Sequence, residues 1–493
     1  MARGFIEPVE ADGKYTLDDY ASMASLSNPV ADLRREALRI REVVGDRRVL
    51  MLNSTARGGG VAEMMPKLVS ILTEVGVRTE WWTMGTDEER FFSLTKRLHN
   101  LIHGSGEPSL TDEDRQVYEA VSRDVAEALD KELGPDDVLV VHDPQPAGAG
   151  AKISANGRRT VWRCHIGLDD DNAQTEAAWS FLEPYVTAYD HTVFTAVEYI
   201  PRYLSTTVSM IPPAIDPFSH KNRELPIHQV VGIMCNGGLA QCPYPLVTPP
   251  FEHQAERLRP DGTFGPANEP DDIGILHRPI ITQISRWDRL KGWRGLLDGF
   301  IQLKREAGAR GGDDARHQTR LKLVRLLLAG PEPAAVQDDP EAKEVLAELI
   351  DVYRGLDPEL QRDVALLSLP MASRKHNALM VNALQRSSSV VVQNSLQEGF
   401  GLTATEAMWK RLRVVGTHAC GLRQQIRDGI DGLLVKDPND PEEVANVLDR
   451  MLSMSRERSA LITSAQRRVY DEYLVFRQVS RWLNVLAEVV AEP

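Results

Sequence analysis

The chain has 493 residues, 42% of them hydrophobic and 26% charged, enough to bury a sizeable core and, at roughly 150 residues per domain, to make about two to four domains. Its 57 Lys and Arg against 71 Asp and Glu leave a formal charge of -14, which argues against nucleic acid or anionic membrane as partners while leaving room for a local basic pocket. Four cysteines, Cys164, Cys235, Cys242 and Cys420, are too few for a disulfide framework and lack the paired short spacings of a zinc site. No run of about 18 apolar residues occurs, and the first 20 residues mix acids and polar groups where a secretory signal needs an apolar stretch. A soluble, cytoplasmic enzyme acting on small molecules is the expectation.

In chain order, short aliphatic runs alternate with segments of helical period, the pattern of parallel sheets covered by helices. A first series comprises residues 48–53 (RVLMLN), 78–84, 137–143 (DVLVVHD), 160–165 (TVWRCH), 191–196 and 208–212, with a helix predicted over 61–75. Residues 211–216 (IPPAID) read as a stiff connector, and 243–270, rich in Pro, Gly and charge, as a loop or insertion. A second series follows at 279–285 (PIITQIS), 321–330 (LKLVRLLLAG), 363–369, 389–394 (SVVVQN), 413–416 and 432–435. These runs are apolar with little alternation, as in sheets buried on both faces. Phe476, Val479, Leu483, Leu486 and Val490 recur at three- and four-residue steps, predicting a terminal packing helix. No internal repeat is visible.

The expected architecture is α/β, two doubly wound Rossmann-like domains facing across a cleft. The first is placed at 1–220, with a helix in 474–493 returning to it. The second is placed at 221–473, with an insertion around 240–275. Open α/β sheets bind ligands at the carboxyl ends of their strands, so residues leaving those ends are the candidates.

After the first strand, Gly58, Gly59 and Gly60 let the backbone approach an anion at a helix start. The segment lacks the Lys-Ser/Thr ending of a P-loop and the glycine spacing of a dinucleotide fingerprint. In the second half Arg286 and Lys291 leave the strand PIITQIS together, a planar fork and a point charge suited to a diphosphate. The segment QNSLQEGFGLTATE carries Glu398 in a loop and Glu406 in the helix behind it, and Gly399 and Gly401 keep that loop slim. Each of these groups has a plain alternative as a surface charge or a tight turn, and their combination is what points to a site.

That combination resembles the retaining glycosyltransferases of the GT-B fold, the glycogen synthase and sucrose synthase relatives. The blocks NSTARGGGVAEMMPKLV, HDPQPAG, VWRCHIGLD, IPPAIDPFSHKN, ITQISRWDRLKGW and EGFGLTATEAMWK are similar to those of the trehalose glycosyltransferring synthases, over most of the chain. The resemblance implies transfer of glucose from a nucleotide-diphosphate-glucose to free glucose, reversibly forming trehalose with retention. It implies that Arg286 and Lys291 bind the donor diphosphate, that Glu398 meets the glucose hydroxyls and that Glu406 meets the ribose. Gly399, Phe400, Gly401, Leu402 and Gly421 would line the donor, His165 would lie near the reacting sugar, and Gly58 to Gly60, Asp143 and Gln145 would serve phosphate or acceptor. No cofactor and no essential metal are implied, and the partners are small sugars, with a homodimer left open. Two departures bear on substrate fit: Ala419, Cys420, Gly421 and Leu422 stand where relatives carry a Gly-Gly pair, and Gly167 stands where Asp is common. The rival readings are a trehalose phosphorylase using inorganic phosphate, transfer to another small acceptor, and a silent nucleotide-sugar sensor. Nucleotide dependence separates the synthase from the phosphorylase.

Overall fold

The computed structural model describes residues 4–11, 13–56, 59–204, 207–241, 250–268, 273–332, 340–453 and 458–491. The chain forms two compact units, one of residues 1–214 with 473–493 and one of residues 215–472.

The first unit is built on a seven-stranded sheet: β1 (Ile6–Val9), β2 (Arg48–Asn53), β3 (Arg78–Met84), β4 (Val138–His142), β5 (Arg159–Arg163), β6 (His191–Phe194) and β7 (Thr207–Met210). Their order across the sheet is β1-β3-β2-β4-β5-β6-β7, parallel except for β1, which runs antiparallel to β3. The order reverses direction between β2 and β4, so the crevice at their carboxyl ends is a topological switch point. Every residue of β4 is buried, in keeping with its unbroken VLVVH. The unit is completed late in the chain by the helix Val475–Ala491, whose Phe476, Val479, Trp482, Leu483, Leu486 and Val489 are all buried. This helix packs on the helix Ser27–Val44 and on the helix Gly59–Glu74. At roughly 1.5–3 kcal/mol per large apolar side chain, that stripe is a main source of stability for the unit.

The second unit contains β8 (Glu256–Leu258), β9 (Phe264–Pro266), β10 (Ile280–Ile284), β11 (Arg325–Pro331), β12 (Val364–Leu369), β13 (Val390–Val392), β14 (Val414–Thr417) and β15 (Leu433–Val435). Their order is β15-β14-β13-β10-β11-β12-β8-β9. The six strands β10 to β15 are parallel, and the direction of winding reverses between β10 and β13. Helices cover both faces, with Trp287, Trp293, Leu296, Phe300 and Leu448 in one apolar layer and Met234, Leu239, Met380 and Leu384 in the other.

Two differences from the sequence expectation have local causes. Residues 243–270, expected as a loop, contain the β8–β9 hairpin, which adds antiparallel to the edge of β12. Strands of three residues carry too little alternation to register as periodic; residues 242–249 and 269–272 lie outside the described residues. The apolar run 321–330 is divided: residues 321–323 close a helix (Ala315–Leu323), Val324 turns extended, and the strand starts at Arg325. Continuous hydrophobicity cannot locate such a junction.

Candidate active site

In the second unit the loops after β10 and β13 meet at the switch point. Lys291 Nζ donates to Glu398 Oε2 at 2.8 Å, with both side chains 13% exposed. Ser395 Oγ donates to the same oxygen at 3.1 Å. Arg286, on the same loop as Lys291, has its side chain 76% exposed, with Asp288 3.7 Å away as an ion-pair partner. Arg286 is thus an exposed guanidinium at the rim, whereas Lys291 is a partly desolvated ammonium held by a carboxylate.

The two loops are stitched by amides that the sequence reading did not single out. Gln283, fully buried at the end of β10, donates from Nε2 to Lys291 O and accepts at Oε1 from Asn394 N, each at 2.8 Å. Asn394 Nδ2 donates to Gly292 O at 3.0 Å, and Leu396 N donates to Leu290 O at 2.7 Å. Gly292, at φ +60°, is required: a Cβ there would stand 1.9 Å from Asn394 O.

Behind Glu398 the chain turns through Gly399, which faces open space, and buried Phe400 to Gly401, at φ +83°, which caps the helix Leu402–Trp409. Leu402 is exposed on the first turn, and Glu406 is 6% exposed on the second. Lys410, 7% exposed at the end of the helix, donates to Gln385 Oε1, Asn222 Oδ1 and Glu406 O. Burial drives its pKa down to about 7, with Glu406 working against the fall. The N-H of Gly421 donates to Glu398 O at 2.9 Å, and a Cβ on Gly421 would lie 2.3 Å from Phe400 Cα. Fully buried Gln425 accepts from Thr405 Oγ1 and donates to the carbonyls of Phe400 and Gly421, fastening the loop to the short helix Cys420–Gln425. This accommodates the departure at 419–422: Gly421 is needed for close backbone approach, and its N-H is committed within the protein.

In the first unit, Asp143 and Gln145 follow β4 and His165 follows β5. Asp143 adopts φ +66°, unusual for a residue with a Cβ, and its backbone is tied on both sides: Asp143 N donates to Arg163 O at 2.8 Å, and Trp162 Nε1 donates to Asp143 O at 3.0 Å. Asp143 Oδ1 accepts from His165 N at 2.8 Å. His142 Nδ1 lies 2.9 Å from His165 Nε2. The Arg163 guanidinium, 1% exposed, donates to Cys164 O, Thr195 Oγ1 and Ile211 O. Burial first, then the charge of Arg163, depresses His142 to about 3 and holds His165 well below the usual imidazole range. Burial raises Asp143 to about 6. Gln145 Oε1 is buried with no hydrogen-bond partner among the described residues. Gly167 is explained by packing: a Cβ there would come within 2.2 Å of the Tyr199 ring.

At the carboxyl end of β2, Asn53 accepts from Trp81 Nε1 and donates to Thr55 O, each at 2.8 Å, shaping the start of the glycine segment. Gly59 and Gly60 open the helix Gly59–Glu74, and Gly60 faces open space. Gly58 lies outside the described residues. Among the described residues no group of three or more His, Cys, Asp or Glu could hold a metal ion, and no helix is long and apolar enough to cross a membrane.

Residues 51–201 match the family described as trehalose synthase, N-terminal domain, and residues 374–468 match glycosyl transferases group 1. The trehalose synthase of Thermococcus litoralis is 32% identical to this chain over 473 residues, covering 95% of it and 96% of that protein. The chain belongs to the trehalose synthase family. A second trehalose synthase, from Rubrobacter xylanophilus, is 32% identical over 435 residues, 86% of this chain and 85% of its own length. Among solved structures, an α,α-trehalose-phosphate synthase (UDP-forming) from Burkholderia vietnamiensis matches with a TM-score of 0.61 at 18% identity, over 91% of this chain and 100% of that one. This trehalose synthase relative accordingly has the GT-B fold.

Proposed function

We propose that the protein is a retaining glucosyltransferase that moves glucose from a nucleotide-diphosphate-glucose to free glucose and forms trehalose. The observation that carries the reading is the Lys291–Glu398 pair at the carboxyl ends of β10 and β13, in a chain with full-length trehalose synthase kinship. A diphosphate bound there would draw the Lys291 ammonium and the exposed Arg286 guanidinium, and the freed Glu398 carboxylate would accept from glucose hydroxyls. Glu406, deeper on its helix, would receive ribose hydroxyls. As the bond from the anomeric carbon to the diphosphate breaks, Lys291 and Arg286 stabilise the charge on the leaving oxygens, which is where preorganised cations contribute most. The acceptor hydroxyl adds on the face the diphosphate leaves and gives its proton to a departing phosphate oxygen, so configuration is retained without a covalent enzyme intermediate. His165, Asp143 and Gln145 are assigned to the sugars. With two cations serving the diphosphate, the reaction needs no divalent ion.

The test is product analysis. The protein is incubated with ADP-, UDP- or GDP-glucose plus glucose, with and without EDTA, and separately with trehalose plus inorganic phosphate. Formation of α,α-trehalose from a nucleotide-glucose, undiminished by chelator, is the expected result. Phosphorolysis of trehalose with no nucleotide dependence would replace this reading by a phosphorylase.

A further inference from the structure

His142 ends β4 fully buried, while His165, just beyond β5, keeps part of its ring exposed. Their rings stack with centroids 5.3 Å apart and planes within 15°, and the 2.9 Å approach of His142 Nδ1 to His165 Nε2 is a hydrogen bond between imidazole nitrogens. Such a contact holds one proton: two lone pairs would repel and two N-H groups would clash. The remaining nitrogen of His142 decides which ring supplies it. His142 Nε2 is buried with no hydrogen-bond partner among the described residues, and the Trp482 ring packs against His142 at 6.1 Å between centroids. Were His165 the donor, the proton of neutral His142 would sit on Nε2, a buried N-H with nothing to bond. With His142 as donor, Nε2 is a bare lone pair, and orphaned acceptors are better tolerated than orphaned donors.

The surroundings keep both rings neutral. Arg163 is the register partner of His142 on the neighbouring parallel strand, so its buried cation lies on the same face of the sheet and opposes an imidazolium there. With His165 Nε2 accepting, its own proton belongs on Nδ1, which meets no partner among the described residues. The aim of the ring is set by its main chain: His165 N donates to Asp143 Oδ1, and His165 O accepts from Thr195 Oγ1 at 3.2 Å.

We infer that His142 is a positioning residue that locks His165 in the Nδ1-H tautomer, so that His165 presents one fixed N-H donor to a sugar hydroxyl oxygen and does not exchange protons during transfer. The role of that donor rests on the glucosyl-transfer reading, whereas the tautomer itself does not.

Imidazole nitrogen shifts and long-range N-H couplings of the full-length protein labelled with 15N-histidine, assigned with His165→Gln and His142→Phe, read the tautomer at pH 7.5. The expected result is Nδ1-H on His165, lost to a mixture in His142→Phe. Nε2-H on His165 in the unsubstituted protein overturns the inference, whether or not glucose is transferred. In kinetics, His142→Phe should lower kcat about tenfold or more while KM for the nucleotide-glucose stays within about twofold. His142→Asn, whose amide N-H stands close to the position of Nδ1-H, should recover most of the loss. Equal impairment in the Phe and Asn variants, or full activity in His142→Phe beside an impaired His165→Gln, points to packing alone and overturns the inference. Absence of glucosyl transfer by the unsubstituted protein would sink the functional reading and leave the tautomer result standing.

Discussion

Lys291 and Glu398 neutralise one another at 2.8 Å while both are mostly withdrawn from water. Removing either strands the other, and stranding a buried charge costs more than the pair itself contributes. Lys291→Ala therefore acts twice, by deleting a diphosphate contact and by leaving an uncompensated carboxylate. We expect turnover to fall by about two orders of magnitude, as for loss of a single charge-stabilising donor. Arg286→Ala removes an exposed cation with little structural consequence, so a similar fall in turnover is expected with an unchanged melting temperature. Steady-state kinetics beside thermal unfolding separates the two effects. The cluster around Arg163 makes a second prediction at this scale. Above pH 6.5 His142 is neutral in both the folded and unfolded chains; as pH falls toward about 3 the unfolded histidine takes up a proton that the folded one refuses, and stability is lost. His165 acts in the same sense. Asp143 acts in the opposite one: folded, it keeps its proton up to about 6, so its contribution is present below 3.8 and lost as pH rises through 6. Two histidines outweigh one carboxyl, so this cluster destabilises the protein on acidification from pH 7 to 4.5. Urea unfolding at the two pH values should show a smaller drop for His142→Phe than for the unsubstituted protein.

Elements hold these residues through buried amides rather than through the charges themselves. Gln283 and Asn394 join the loops after β10 and β13, and Gln425 joins the Glu398–Gly401 turn to the helix Cys420–Gln425. Gly421→Ala would drive a Cβ into the Phe400 backbone, with no flexible side chain to yield. The expected outcome is at least about a tenfold loss in kcat/KM for the nucleotide-glucose, because geometry displaced by an ångström is costly in an oriented site, with circular dichroism unchanged. The strands that place the site were legible because PIITQIS and SVVVQN are short runs dominated by β-branched residues, and Arg286, Lys291 and Glu398 were legible because they leave such runs. Gln283, Asn394, Gln425 and His142 were not, since a buried amide or imidazole is recognisable only by a partner distant in sequence; Gln283 and Asn394 are 111 residues apart. β1, β8 and β9 were missed for another reason. They are strands of three or four residues at the margins of their sheets, β1 and β9 outermost and β8 between β12 and β9, stabilised by neighbours rather than by their own pattern.

At the scale of the whole molecule, the two units differ in how the chain completes them. Residues 215–472 are contiguous and contain two apolar layers of their own around a complete doubly wound sheet. Residues 1–214 lack the helix Val475–Ala491, which supplies Phe476, Trp482 and Leu486 to their core. A chain ending at residue 474 should therefore expose the apolar faces of Ser27–Val44 and Gly59–Glu74 and accumulate in inclusion bodies. The contiguous fragment 215–472 should unfold cooperatively in urea, because every strand of its sheet and both of its layers lie within it. The donor-binding groups proposed here, Arg286 and Lys291 for the diphosphate, Glu398 for the glucose and Glu406 for the ribose, also all lie within it, so a folded fragment should bind a nucleoside diphosphate while transferring no glucose. Calorimetric titration with ADP and UDP, and with Lys291→Ala as the control, checks this. A folded fragment that binds neither nucleotide would mean that the donor site needs residues of the first unit, and would move the diphosphate contact away from Lys291.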